Sequence, residues 1–507
     1  MENSFLNTLS DLTNYAYTEN GALTHKTTKS LVFDMFSLCG AFRNRTDDDC
    51  ITMFMYAYQQ HRILALKCLF YLADCRGGQG ERRFFRVCFK WLCNVDPELA
   101  RRNLKYIPEY RRWDDLIYST FGTVLEEDAL LIIKEQLALD VESKTPSLLA
   151  KWLPSENASS SKTKAAARKI RTYLGWTHKQ YRKTLSILRS RINIVEKLMS
   201  ENRWDEIEFD KIPSKAGLIY KNAFARRDII AKKYETFAKD KTTKVNAEVL
   251  NPVDIAKRAF YYDYKSSSED AERLMLQKYW DNLKDYYNGR QENGLAIVDT
   301  SGSMCGTPLA AAVAMGAYIA ERGHGPFANH FITFSDHPEL IRFEGVDITD
   351  KFNRAIRADW GNSTNIEAVF NLLLETAKAQ NTAPEDIPER LYIFSDMEFN
   401  CCISHGPRRE GSSYNYFANR FSGDNAVKQI DTLLEKIEKD WNAAGYQLPK
   451  VIFWNLDARQ NNIPALGDRF SYVSGFSMSM IETILSGKDG YDLMLEKLLS
   501  ERYAVIQ

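Results

Sequence analysis

The sequence predicts a chain of two parts: an all-α, helical-repeat region over residues 1–290 and a doubly wound, Rossmann-like α/β domain over residues 291–507. Three observations carry this. At 507 residues the chain exceeds what one ordinary core serves. Apolar residues recur at spacings of three and four up to about Tyr287. After Asn293 the period changes, and short strand-like runs alternate with helical ones, the signature of a mostly parallel sheet with helices on both faces.

In the first part, Ile51–Tyr71, Glu81–Leu92, Asp128–Leu139, His178–Met199 and Asp254–Phe260 read as amphipathic helices. Over His178–Met199 the stripe is Tyr181, Leu185, Leu188, Ile192, Val195 and Met199, with Thr177 placed to cap the start and Gly175 to end the helix before. With β-branched alternation nearly absent, stacked helix pairs are expected, although no fixed repeat period emerges. The glycine-dense Arg76–Gly80 loop lacks the Lys-Ser/Thr of a phosphate cradle and reads as a helix–helix turn. In the second part, Leu295–Val298, His330–Phe334, Glu339–Phe343, Leu391–Ser395 and Val451–Leu456 read as strands. Pro308–Glu321, Ile366–Ala379, Asn425–Ala443 and Met478–Leu485 read as the helices between and after them.

Composition narrows the class. Hydrophobic residues make up 44% and charged residues 26%, as in a soluble globular protein. No run approaches the roughly 18 apolar residues of a membrane span. Met1–Ser10 lacks the basic-then-apolar order of a secretory signal, so a cytoplasmic protein away from membranes is expected. The nine cysteines form no C-x-x-C pair and suit a reducing compartment. No Walker A loop, H-E-x-x-H or G-x-S-x-G elbow is present, so no catalysis is expected.

Net charge is zero but unevenly spread. Across Lys162–Lys197 eleven cations face one acid, Glu196, with Tyr173, Trp176 and Tyr181 interleaved. Such a block attracts phosphate backbones, and aromatics stack on unpaired bases; the plainer reading is a solvated helix face. Lys169, Arg171, Lys179, Arg182, Lys183, Arg189 and Arg191 are its candidate RNA contacts. Arg76, Arg82 and Arg83 are added from a weaker cluster that runs on through Arg86, Arg101, Arg102, Arg111 and Arg112.

The run Leu295–Met304 (LAIVDTSGSM) is a strand tipped with oxygen donors. Asp299, Ser301 and Ser303 offer a carboxylate and two hydroxyls on one turn, a donor set for a hard cation such as Mg²⁺ or Mn²⁺. Thr364, just before a helix, and Asp396, at the end of LYIFSD, complete a candidate set of five. Beyond Asp396, Glu398–Gly423 is an insertion that reads either as a contact loop or as an ordinary packed insertion. Its Cys401, Cys402 and His405 suit a tetrahedral zinc site poorly.

In order and approximate spacing these five residues resemble the metal-ion-dependent adhesion site of von Willebrand factor A (vWA) domains, over about residues 293–507. That resemblance implies direct binding by the serines and, in some states, the threonine, with the aspartates acting through water. The ion then keeps an open position that a partner's carboxylate fills. A helical region before such a domain resembles in architecture the TROVE proteins, the Ro ribonucleoprotein family, whose HEAT-like helices form an RNA-binding ring. The motifs DCRGGQGERRFFR (Asp74–Arg86), IPEYRRWDDL (Ile107–Leu116) and KAGLIYKNAFARRD (Lys215–Asp228) are more similar to a second family, a domain of unknown function joined to a vWA-like domain. The expectation is a non-catalytic RNA-binding scaffold with a Mg²⁺-binding vWA domain for protein partners. The alternative is a metal-dependent protein–protein adaptor, for example of an AAA+ ATPase, that binds no RNA.

Overall fold

Six apolar or near-apolar runs of the second part assemble into one mixed sheet, and its two central strands are buried along their whole length. The computed structural model describes residues 6, 9–10, 13–192, 194–260, 270–334, 337–357, 364–400 and 432–507. A short hairpin comes first, β1 (Tyr15–Tyr17) antiparallel to β2 (Leu23–His25). The sheet holds β3 (Gly294–Asp299), β4 (His330–Phe334), β5 (Leu340–Arg342), β6 (Arg390–Ser395), β7 (Lys450–Asn455) and β8 (Phe470–Ser474). Its order is β5-β4-β3-β6-β7-β8, parallel except for the antiparallel edge strand β5. The burial of β3 and β6 on both faces explains why their sequences run apolar rather than alternating. The winding direction reverses between β3 and β6, so their carboxyl ends open a crevice at the point where ligands settle in such sheets.

The helix Thr307–Arg322 lies on β3, with Pro308 in its first turn and small residues Ala310, Ala311, Ala312 and Ala314 along it. Gly316 lets it approach closely: a Cβ there would stand 2.4 Å from Val298 Cγ2. On this helix rests Pro252–Ala259 from the first part of the chain. The helix Leu31–Leu38 packs on β8, where the Gly40 N–H donates to Ser474 Oγ at 3.0 Å. Buried apolar side chains from Ala22 to Ile506 therefore form one continuous cluster.

The first part is helical, as its periodicity predicts, with two departures. The stretch read as Ile51–Tyr71 is two helices, Asp47–Gln60 and Arg62–Ala73. His61 between them is extended (φ −154°, ψ 95°), and its Nδ1 accepts from the Leu64 N–H at 3.2 Å, so it caps the second helix. The stretch read as His178–Met199 stops at Arg191, and Val195–Ser200 forms a separate turn of helix. Thr177 does cap His178–Arg191, through a reciprocal bond with Gln180, and Gly175 adopts φ +66°. The sequence reading missed the β1–β2 hairpin and strand β8.

The Arg76–Gly80 loop is a turn. A Cβ on Gly78 would stand 1.8 Å from the Tyr71 carbonyl oxygen, so only glycine fits. The loop begins at Asp74, whose carboxylate receives Arg502 and the Tyr503 hydroxyl. Among the described residues, no helix is long and apolar enough to cross a membrane.

Candidate metal centre and basic helices

Asp299 ends β3 and is fully buried. Its Oδ1 accepts from the Ser301 N–H at 2.9 Å and its Oδ2 from Ser395 Oγ at 2.5 Å. Ser301 Oγ and Ser303 Oγ lie 3.0 Å apart, which makes a two-hydroxyl pair on one turn. Asp396 follows β6; the β3–β6 register, with Val298 opposite Phe394, puts Ser395 level with Asp299 and Asp396 one residue beyond, at the same strand ends. Burial, then the negative charge of Asp396, drives the Asp299 carboxyl well above the usual carboxylate range. Asp396 is itself oriented twice over: the Glu398 N–H donates to its Oδ1 at 3.1 Å and Arg459 to its Oδ2 at 2.6 Å. Met397, between Asp396 and Glu398, sits at φ +64°, a left-handed conformation that turns the chain just after β6.

Thr364 is buried and joins the set through the segment after Asp396. Its hydroxyl donates to Asn400 Oδ1 at 2.7 Å, and its carbonyl accepts from the Asn400 N–H. The structure thus links Asp299, Ser301 and Ser303 directly, and brings Asp396 and Thr364 to the same strand ends by way of residues 395–400. Among the described residues no group of three or more His, Cys, Asp or Glu is placed to hold a metal. The donors at this turn are hydroxyls beside one carboxylate pair, a set that fits a hard oxygen-seeking cation. Two further observations agree. Arg459 answers Asp396, whereas Asp299 meets no cation among the described residues, and the buried Thr300 Oγ1 has no hydrogen-bond partner. Cys401, Cys402, His405 and nearly all of the insertion lie outside the described residues.

The sequence reading missed the residues that cover this face. The tip of the β1–β2 hairpin, residues 18–21, lies against the segment after Asp396. Thr18 Oγ1 donates to the Phe399 carbonyl at 2.6 Å, and the Glu19 N–H to Glu398 Oε2 at 2.7 Å. Asn20 Nδ2 donates to Thr364 Oγ1 at 3.1 Å and to the Glu398 carbonyl at 2.5 Å. The Glu19 carboxylate pairs with Arg459 at 3.0 Å, the same arginine that holds Asp396. Asn462 Nδ2 binds the other oxygen of Glu398 at 2.8 Å, and burial raises that carboxyl to about 7.

These observations stand beside the following likenesses. The domain of unknown function DUF2828 matches residues 18–112 and 108–286, more than half of the chain. The chain belongs to the DUF2828 family. A second domain of unknown function, DUF7788, matches residues 293–502. This DUF2828 protein is 29% identical to uncharacterized protein L728 of Acanthamoeba polyphaga mimivirus, over 94% of this chain and 86% of that one. It is also similar to the solved structure of the Ro (RSR) protein of Deinococcus radiodurans. That similarity covers 93% of this chain and 99% of that one, at 13% identity and a TM-score of 0.40.

In this DUF2828 protein the two basic clusters have different fates. Arg82 and Arg86 donate to the fully buried Asp115 at 2.7 and 2.6 Å, and Arg83 to Asp47 at 2.6 Å. Arg76 donates to the Glu109 carbonyl at 3.2 Å. Arg82 and Arg83 are thus paired with the fold's own acids, not presented as the unpartnered cations their sequence cluster suggested. Within Lys162–Lys197, Lys169 pairs with Glu126 and Arg171 with Glu156. Arg189 donates to the carbonyls of Ala150 and Leu153, and Arg191 to that of Val141. Lys162, Arg168, Lys179, Arg182 and Lys183 are exposed, and their side chains make no hydrogen bond or ion pair among the described residues.

Proposed function

We propose that this protein is a metal-dependent capture scaffold. In this reading its second part is a vWA-type domain. Asp299, Ser301 and Ser303, with Thr364 and Asp396, would hold Mg²⁺ or Mn²⁺, and the ion's remaining position takes a carboxylate from a protein partner. The observation that carries the reading is the buried Asp299, faced by Asp396 across the reversal point of the sheet, with the serine hydroxyls at its tip and no cation of the described chain to answer it. A carboxylate buried beside a second one is costly to ionise without a positive ion near it, and Arg459 pairs with Asp396 rather than with Asp299. The strand order, with its antiparallel edge, supports the vWA assignment. The chemistry is capture, and no bond is made or broken.

Isothermal titration with Mg²⁺ and with Mn²⁺ tests the reading. One site is expected in the full chain, and it is lost in Asp299→Ala and Ser301→Ala variants that keep the wild-type circular dichroism. Absence of binding by the wild-type chain overturns it.

A second reading adds RNA to the scaffold, favoured by five exposed cations on the helices Ser161–Tyr173 and His178–Arg191 that have no partner among the described residues. A cleft of about 660 Å³, lined in part by Arg182, His178 and Lys197, runs beside the second helix. Binding of single-stranded and structured RNA should weaken steeply with salt, because counterions are released. The paired changes Arg182→Glu and Lys183→Glu should reduce it about tenfold or more. Salt-independent binding, or binding unaffected by these changes, removes the second reading.

A further inference from the structure

The hairpin tip over the candidate metal centre does more than fill space. β1 and β2 are fixed from the far side: the His25 N–H donates to the Ile463 carbonyl at 2.9 Å, Thr24 Oγ1 donates to the same carbonyl at 2.8 Å, and His25 Nε2 meets Glu435 at 2.9 Å. The tip between the strands is held differently, by one bridge between Gly21 and Asn400, a few side-chain hydrogen bonds and the Glu19–Arg459 pair. That pair is partly open to solvent, with the Glu19 side chain 42% exposed and that of Arg459 30%, so screening leaves it weak. The fixed base therefore carries an acidic tip whose ion pair is weak, and the tip brings a carboxylate to the arginine that already holds Asp396.

From this we infer that residues 18–21 are an intramolecular occupant of the capture face, and that the partner is a second acidic β-turn that displaces them. The partner's carboxylate takes the place of Glu19 on Arg459, and its backbone takes the place of the tip against residues 398–400. The chain's own tip thus displays the ligand chemistry: a Glu at the turn of an antiparallel hairpin, followed by a small amide side chain that reaches Thr364 and the Glu398 carbonyl. This rests on reading these strand ends as a capture face, and it adds a second carboxylate contact, on Arg459 beside the ion's position, together with the class of partner and a built-in competitor.

The test uses the full chain and a fluorescent peptide copying Tyr15–His25 of this sequence, followed by anisotropy in the presence of Mg²⁺. The wild-type chain, with its seat filled, is expected to bind the peptide at least tenfold more weakly than a Glu19→Gln/Asn20→Ala variant. The same peptide carrying Glu19→Gln should not bind the variant. Both changes lie on an exposed turn, and hydrogen exchange gives an independent measure. The backbone amides of residues 19–21 should exchange faster in the variant, while those of β1 and β2 do not change. Equal peptide binding by wild type and variant, or none by a variant that still takes up Mg²⁺, overturns the occupant. Loss of the capture reading is distinguishable. If neither chain binds Mg²⁺ in calorimetry, yet the variant still gains the peptide in EDTA, the metal falls and the occupant stands.

Discussion

Asp115 shows how a residue's role depends on partners that sequence proximity does not reveal. Its buried carboxylate receives Arg82, Arg86 and Arg111, which come from the helix Arg82–Val95 and the loop before Trp113–Thr120. Removing one member of a buried charged group leaves the others unpaired, at a cost of about 3–5 kcal/mol. Asp115→Asn should therefore lower the unfolding free energy by about 3 kcal/mol in urea titration, given that two of the arginines are partly exposed. Arg82, Arg83 and Arg86 looked like part of a basic path because Asp47, Asp114 and Asp115 lie some thirty residues away from them in sequence, and only the folded helices bring them together. Asp299, Ser301, Ser303 and Asp396 were legible for the opposite reason. Each sits on or just beyond the end of an apolar strand run, so the pattern itself aims them at one edge. Arg459, beyond the end of β7, carries the same kind of signal, but a cation has no place in a pattern of oxygen ligands.

At the scale of elements, apolar period revealed helices and strands but not where they break. His61 and Ile192 interrupt stripes that continue in register, so periodicity passes through them without a mark. The hairpin did carry a signal, Asn20-Gly21 between Tyr15–Tyr17 and Leu23–His25, the usual chemistry of a tight turn. Three-residue strands are too short for alternation to show. Close packing of Thr307–Arg322 on β3 gives a clean prediction. Gly316→Ala forces a methyl into Val298 and should cost about 1–3 kcal/mol, read as a lower urea midpoint. Adding Val298→Ala should return part of that loss, because the two sites share the contact. A second element-level contact depends on pH. Burial works to raise the Glu435 carboxyl, but the His25 hydrogen bond and two backbone N–H groups outweigh it and hold it below its ordinary value of 4.5. A carboxyl lowered on folding stabilises the folded state above its unfolded pKa and loses that contribution as pH falls through its folded value. The stability gap between wild type and Glu435→Ala should therefore shrink as the pH falls below about 4.5.

For the molecule as a whole, the decisive feature is that the helices before Asn293 and the sheet after it share one apolar cluster. Leu31–Leu38 covers β8, and Pro252–Ala259 rests on the helix that covers β3. Unfolding followed by tryptophan fluorescence and by far-ultraviolet circular dichroism should give coincident urea transitions, since neither part can expose its face without the other. Two separate transitions would mean that the cluster divides.

The same wiring places the covered strand ends in time as well as in space. Thr18 meets Phe399 across 381 positions, Asn103 meets Gln507 across 404, and Asp74 meets Arg502 across 428. Closing loops of that length costs chain entropy before any contact repays it, and distant pairings slow folding. The hairpin tip reaches its seat only after both parts have closed on each other. A half-folded chain would therefore show strand ends and hydroxyls without the tip over them, and the self-occupied face would arrive as the last event of folding.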